Sequence, residues 1–196
     1  MSKLRLVLAS ESPRRRELLK LLGVPFESIS SDIDETPRSG ESDLDFVTRT
    51  AREKGEAVAG QIPDAVVLSA DTIVSLDGEI LGKPRDVDDA RRMLRMLSGR
   101  GHNVYTAVST IHAATHTRHE GLEETRVWFS DLQSEMIDDY IRREEVLDKA
   151  GAYGIQGFAS VFIPKIEGNY ANVMGLPLPL TYDLLIRQGF TCHTSS

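Results

Sequence analysis

The chain has a single cysteine, Cys192, in 196 residues, so no intramolecular disulfide can form. That fits a reducing compartment, and a cytoplasmic location is expected. No run of about 18 apolar residues occurs, and the first residues lack the apolar core of a secretory signal, so neither membrane spanning nor export is expected. Basic charge is in deficit: 23 Lys and Arg stand against 30 Asp and Glu, a net charge of −7. General nucleic-acid and membrane-surface binders carry net or patchy basicity, so neither partner is expected. The glycines of a Walker loop or a dinucleotide fingerprint are absent, as are G-x-S-x-G, H-E-x-x-H and C-x-x-C, which removes the commonest hydrolase and zinc readings. There is no internal repeat, no low-complexity tract and no long linker, so residues 1–196 are expected to form a single domain.

What is present is an ordinary globular composition, 40% hydrophobic and 27% charged, in a chain long enough to bury about 70% of its unfolded surface. Residues 4–9 read as a buried strand and 12–22 as a helix, so the class is α/β. A short strand and loop follow over 24–42, then a helix over 43–60 carrying Leu44, Val47, Ala51 and Val58. Residues 65–76, AVVLSADTIVSL, have a strand pattern interrupted at 69–72, and Asp77-Gly78 signals a two-residue hairpin. A helix is expected over 87–98, strands over 102–112 and 122–129 around a His- and Thr-rich loop, and a helix near 133–144. A further strand over 158–166 and a last helix over 178–188 complete the reading, with the terminal TCHTSS expected to fray.

The helix at 12–22 raises a question of charge. Ser12 reads as its N-cap and Pro13 as its first residue, yet Arg14, Arg15 and Arg16 crowd its first turn. That end of a helix already carries about half a positive charge, so each arginine costs roughly 0.3–1 kcal/mol unless an anion answers it. Ser10 through Arg16 therefore suits a phosphate, although pairing with Asp or Glu elsewhere would serve equally. Asp71, set among Val66, Val67, Leu68, Ile73 and Val74, is costly to bury unless it is paired or binds a metal; otherwise a bulge or strand end exposes it. Glu35, in SDIDE, could join Asp71 around a hard cation, or be merely solvated. Lys54 and Lys83 are cations of either surface or phosphate-binding kind, with Lys83 held extended by Pro84. In DKAGAYGIQG, three glycines permit close backbone approach and Gln156 offers both donor and acceptor to a base edge; an irregular connection is the alternative. His112, His116 and His119 fall in a polar loop without cysteine and are not read as a metal site.

Taken together, ASESPRRRELL, SDIDE, AREK, SADTIV…GEILGKP, LSGRGHNVYTAV and LDKAGAYGIQG…GNYANVMGLPL resemble the Maf family of nucleoside triphosphate pyrophosphatases, in order from Leu4 to about Leu185. The resemblance implies an α/β fold with a long mixed β-sheet flanked by helices and a deep central cleft, akin to the inosine triphosphate pyrophosphatases. It implies cleavage between the α- and β-phosphates with Mg²⁺ or Mn²⁺, and a homodimer. By resemblance, Asp71 takes the proton-acceptor position and shares the metal with Glu35. Ser10, Arg14, Arg15, Lys54 and Lys83 match polar positions that bind substrate. Arg14, Thr72 and Gln156 match the pattern of the branch acting on dTTP and UTP. Ser69 departs from the family, which most often has glycine there; a small residue is expected to be tolerated. The alternatives are the same reaction on 7-methyl-GTP or another modified nucleotide, or a nucleotide-binding regulator of septum formation.

Overall fold

Leu6, Val7, Leu8 and Ala9 are fully buried, which suits a strand that is covered on both faces and flanked by parallel neighbours. In the computed structural model, which describes residues 4–191, this run is β1 (Arg5–Ala9). Cys192 and the rest of the tail expected to fray lie outside the described residues. The order continues α1 (Pro13–Lys20), β2 (Phe26–Ile29), α2 (Asp43–Ala59), β3 (Ala65–Leu76), β4 (Glu79–Leu81), α3 (Val87–Leu97), β5 (Gly101–His112) and β6 (Arg118–Trp128). After these come α4 (Ser134–Arg143), 3₁₀ turns at Ala150–Ala152 and Gly157–Val161, β7 (Lys165–Glu167), α5 (Tyr170–Val173) and α6 (Leu178–Arg187). The strands form one seven-stranded sheet ordered β2-β1-β3-β5-β6-β7, with β4 paired to β3. β1 runs parallel to β2 and β3, whereas β4 and β7 are antiparallel to their partners, so the sheet is mixed as expected. Among the described residues no helix is long and apolar enough to cross a membrane.

The chain divides into two compact units. The first comprises residues 1–71, 106–123 and 175–196; the second comprises 72–105 and 124–174. In the first, Val7, Ala9, Val58, Ala65, Val67 and Ile111 form a buried cluster where α2 covers the parallel strands. In the second, α3 and α4 supply Leu94, Leu97, Ile137 and Tyr140 to a core completed by Val74, Val127 and Phe129. Phe162 meets Phe129 and Tyr140 edge-on at 5.0 and 5.2 Å, a favoured aromatic geometry.

Three local expectations are corrected. β3 is not interrupted at 69–72: it is continuous, and Asp71 is buried within it rather than meeting solvent at a bulge. Residues 158–166 are not one strand. Gly157 at φ 72° turns the chain, and Phe158 and Phe162, four residues apart, both close on Tyr140, so a 3₁₀ turn replaces most of the strand. The histidine-rich loop is also shorter than expected: His112 ends β5, His119 lies in β6, and only His116 is in the turn, at φ 56°. The hairpin, by contrast, is as expected, with Asp77 and Gly78 at φ 53° and 82° between Leu76 and Glu79.

Candidate active site

α1 begins as its sequence demands. Ser12 caps it by accepting from the Arg15 N–H, and the Ser10 hydroxyl, at the buried end of β1, accepts from the Ser12 N–H at 3.2 Å. Arg15 is anchored by its Nε, which donates to the Gly175 carbonyl at 2.8 Å. Burial holds the Arg15 guanidinium below its usual pKa, the nearby carboxylates of Asp71 and Glu35 oppose this, and Arg14 adds to the lowering. Arg16 points away as an exposed charge.

α2, capped by Ser42 on the Asp45 N–H, presents Val47, Ala51, Lys54 and Val58 on its buried face at helical spacing. The spacing carries the Lys54 ammonium to Asp71, where Nζ lies 2.7 Å from Oδ1, and to Glu35, at 3.0 Å from Oε2. The Lys54 and Asp71 side chains are 9% and 10% exposed, and Glu35 is 47% exposed. A buried carboxylate and ammonium are tolerated because each neutralises the other; stripping one partner from such a pair typically costs about 3–5 kcal/mol. The first unit thus gathers Arg15, Glu35, Lys54 and Asp71.

Ser69 lies two residues before Asp71 on the same face of β3. Its hydroxyl donates to the Ala51 carbonyl of α2 at 2.6 Å. Room for it exists because residue 55 is glycine: a Cβ there would stand 2.7 Å from Ser69 Oγ. Ser69 is therefore accommodated by the glycine that faces it on α2.

Thr72, Lys83 and Gln156 belong to the second unit. Thr72 shares with Val74 the β3 face opposite Asp71. Gly151, at φ 68°, packs on that Val74; a Cβ at 151 would lie 3.0 Å from a Val74 methyl. The Gly151 N–H donates to the Gly82 carbonyl at 3.0 Å, tying the segment that leads to Gln156 to the exposed Lys83. Gln156 itself is exposed at the start of the second 3₁₀ turn.

The pairing of arginine with carboxylate that competed with phosphate at α1 is found fully developed elsewhere. Arg38, Arg49, Arg52 and Arg118 line a groove with Glu41, Glu53 and Glu56. Arg49 bonds Glu41 and Glu53 at 2.6 and 2.9 Å, and its hydrogen bond draws the Glu41 carboxyl down to about 2. Arg52 grips Glu120 with two bonds, of 2.8 and 2.9 Å. There the cations are already answered by protein carboxylates.

Sequence reasoning did not find the Gly175 carbonyl, the partner of Arg15 160 residues away. It also missed Tyr140 and Glu144, which bond the backbone beside Gln156. No local spacing signals either contact.

A family model described as Maf-like protein matches residues 5–188, covering all the residues above. The chain belongs to the Maf-like family. A protein of Anaeromyxobacter dehalogenans is 51% identical over 188 residues, 95% of each chain. One of Shewanella oneidensis is 50% identical over 192 residues, 94% of this chain and 98% of that one. One of Pelotomaculum thermopropionicum is 46% identical over 185 residues, 94% of this chain and 97% of the other. All three bear the name dTTP/UTP pyrophosphatase.

Proposed function

We propose that this protein is a nucleoside triphosphate pyrophosphatase that hydrolyses dTTP and UTP to the nucleoside monophosphate and pyrophosphate. The observation that carries the reading is the Lys54 ammonium held between the Asp71 and Glu35 carboxylates, with Arg15 alongside, in a chain half identical to proteins of that name. Water adds to the α-phosphorus, the bond from that phosphorus to the oxygen bridging to the β-phosphorus breaks, and pyrophosphate leaves with that oxygen. Asp71 is the base that positions the water and takes its proton. Arg14, Arg15, Lys54 and Lys83 offset the phosphate charge, with Ser10 donating at the end of β1. Thr72 and Gln156 face the base, where a hydrogen-bonding site can reject a wrong base strongly.

The donor set fits a divalent cation, Mg²⁺ or Mn²⁺. Asp71 and Glu35 each bring a carboxylate oxygen to within 3.0 Å of a common cation, the Lys54 ammonium. No cluster of three or more His, Cys, Asp or Glu that could hold a metal occurs among the described residues, so the protein would offer two carboxylates and leave other positions to phosphate and water. That division is usual for Mg²⁺. When bound, the cation polarises the phosphate oxygens and neutralises their developing charge. The family resemblance extends the proposal to a homodimer acting in the cytoplasm.

The test is Asp71→Asn. Pyrophosphate release from dTTP and UTP should fall by about 10²–10⁴-fold while nucleotide binding remains measurable. Unaltered turnover rejects Asp71 as the base, and wild-type turnover of purine triphosphates as fast as of dTTP and UTP rejects the pyrimidine assignment.

A further inference from the structure

Gln156 can read a base only if its backbone is fixed, yet it stands exposed in a segment with Gly151, Gly154 and Gly157. Glycine-rich backbone is intrinsically permissive, so something outside the segment must define its course. That something is the C-terminal end of α4 with its cap residue, Glu144. The Tyr140 hydroxyl accepts from the Gly154 N–H at 3.1 Å, two residues before Gln156. Glu144 Oε1 accepts from the Phe158 N–H at 2.9 Å, two residues after it. Tyr140 and Glu144 are one helical turn apart, joined by the Glu144 N–H donating to the Tyr140 carbonyl at 3.0 Å. Between the two anchors, Gly157 lies directly against Glu144, where a Cβ would be 2.6 Å from Oε1. Arg143 completes the grip, with its guanidinium 4.8 Å from the centre of the Phe158 ring. Tyr140 is 1% exposed and packed edge-on against Phe162, so its hydroxyl is held by a rigid core.

We infer that Tyr140 and Glu144 are positioning residues for base selection, acting through the backbone on either side of Gln156. The inference rests on the proposed reading of Gln156 as the residue that faces the base. Neither side chain need touch the nucleotide. Each removes freedom from one flank of Gln156, so that its amide meets the base already oriented and little ordering is left for binding.

The experiment uses the full chain with Mg²⁺ and measures kcat and KM for pyrophosphate release from dTTP, UTP, CTP, ATP and GTP. The variants are Tyr140→Phe, Glu144→Ala and Glu144→Gln. Tyr140→Phe keeps the ring in the core and deletes only the hydroxyl, so it separates the anchor from the packing. Tyr140→Phe and Glu144→Ala should each raise KM for the preferred triphosphates by about three- to tenfold, the worth of one hydrogen bond, and leave kcat nearly constant. KM for disfavoured bases should move less, so the ranking flattens. Glu144→Gln, which retains the accepting oxygen, should restore the wild-type ranking. The inference is overturned if Tyr140→Phe keeps the full ranking, or if kcat falls equally for every nucleotide with KM unmoved. If wild type ranks a purine first, the pyrimidine reading fails, and the inference is judged by whether the variants flatten that ranking instead. Should Glu144→Ala fail to fold, Tyr140→Phe alone decides.

Discussion

The contact between Gly55 and Ser69 predicts a sharply non-additive pair of substitutions. Alanine at 55 gains about 1 kcal/mol of helix propensity over glycine. Its Cβ, however, would sit 2.7 Å from Ser69 Oγ, closer than such atoms approach. The hydroxyl can swing away only by giving up its 2.6 Å bond to the Ala51 carbonyl, which leaves this fully buried group only the longer contact to the Ser109 carbonyl, at 3.4 Å, and costs about 1–3 kcal/mol. Gly55→Ala should therefore be net destabilising, by about 1 kcal/mol. Ser69→Gly loses that hydrogen bond and adds a glycine inside a strand, together about 1.5–2 kcal/mol. In the double variant the obstruction is gone and the propensity gain survives, leaving a deficit of only about 0.5–1 kcal/mol. The coupling is thus about 2 kcal/mol, well above the roughly 0.3–0.5 kcal/mol within which independent sites add. Urea unfolding followed by far-ultraviolet circular dichroism measures the cycle. Because residue 55 follows Lys54 and residue 69 precedes Asp71 by two, kcat/KM for UTP should fall in Gly55→Ala and recover in the double variant. Stabilities that simply add, or activity lost equally in the single and the double, would refute the reasoning.

Two further outcomes follow from the second unit. His102 is buried, with Nε2 2.8 Å from the Tyr153 hydroxyl and Nδ1 without a hydrogen-bond partner among the described residues, and burial pushes it down to about 4. It must therefore stay neutral when folded: its contribution is complete above about pH 6.5, and up to about 3 kcal/mol is lost as pH falls from there towards 4. Urea titrations across that range should show the decline in wild type and a flatter profile in His102→Gln; equal slopes would count against it. Gly151→Ala adds a Cβ 3.0 Å from Val74 at a positive φ, so it should cost about 2 kcal/mol or more and raise KM by disturbing the tie to Gly82; an unchanged melting temperature would contradict this.

Legibility followed the range of the interactions. Ser12 and Pro13 announce α1, Asp77-Gly78 announces the hairpin, and α2 is visible in its spaced apolar residues, because caps, turns and amphipathic faces are settled within a few residues. The expected break in β3 is not found, and of the two readings open for Asp71 the structure takes the buried, paired one. Its partner, Lys54, lies 17 residues away on another element, which no local window can see. The strand expected over 158–166 failed for a related reason. Apolar Phe158 and Phe162 suit either state locally, and Tyr140, brought in by tertiary packing, selects the turn. Glu35 is expected to join Asp71, and the structure brings both to Lys54, a juxtaposition that no local spacing signals. Glu35, Lys54 and Asp71 come together only through α2 packing on β3, whereas Thr72, although adjacent to Asp71 in sequence, faces the other side of the strand.

The arginines at the start of α1 show how far a local electrostatic argument reaches. The helix dipole makes three cations there unfavourable, and the sequence alone leaves the compensating anion open between phosphate and protein carboxylate. For Arg15 the structure supplies part of the answer within the protein: the Gly175 carbonyl takes its Nε, and the Asp71 and Glu35 carboxylates raise its pKa against burial. Those same two carboxylates are bonded to Lys54. Arg15 and Lys54 therefore draw on one pair of negative charges, two cations to two anions, a set near neutrality. The Arg49 group has a similar balance, since Glu41 and Glu53 close on that guanidinium and Glu53 also bonds Arg38 at 2.8 Å. Under the proposed function, a polyanion approaching the first group meets cations whose neutralising carboxylates have another use, in base catalysis and in holding a divalent cation. Helix position therefore does not make a phosphate site by itself; under the proposed function, what distinguishes α1 from the other arginine cluster is that its counter-charges, Asp71 and Glu35, also serve the chemistry.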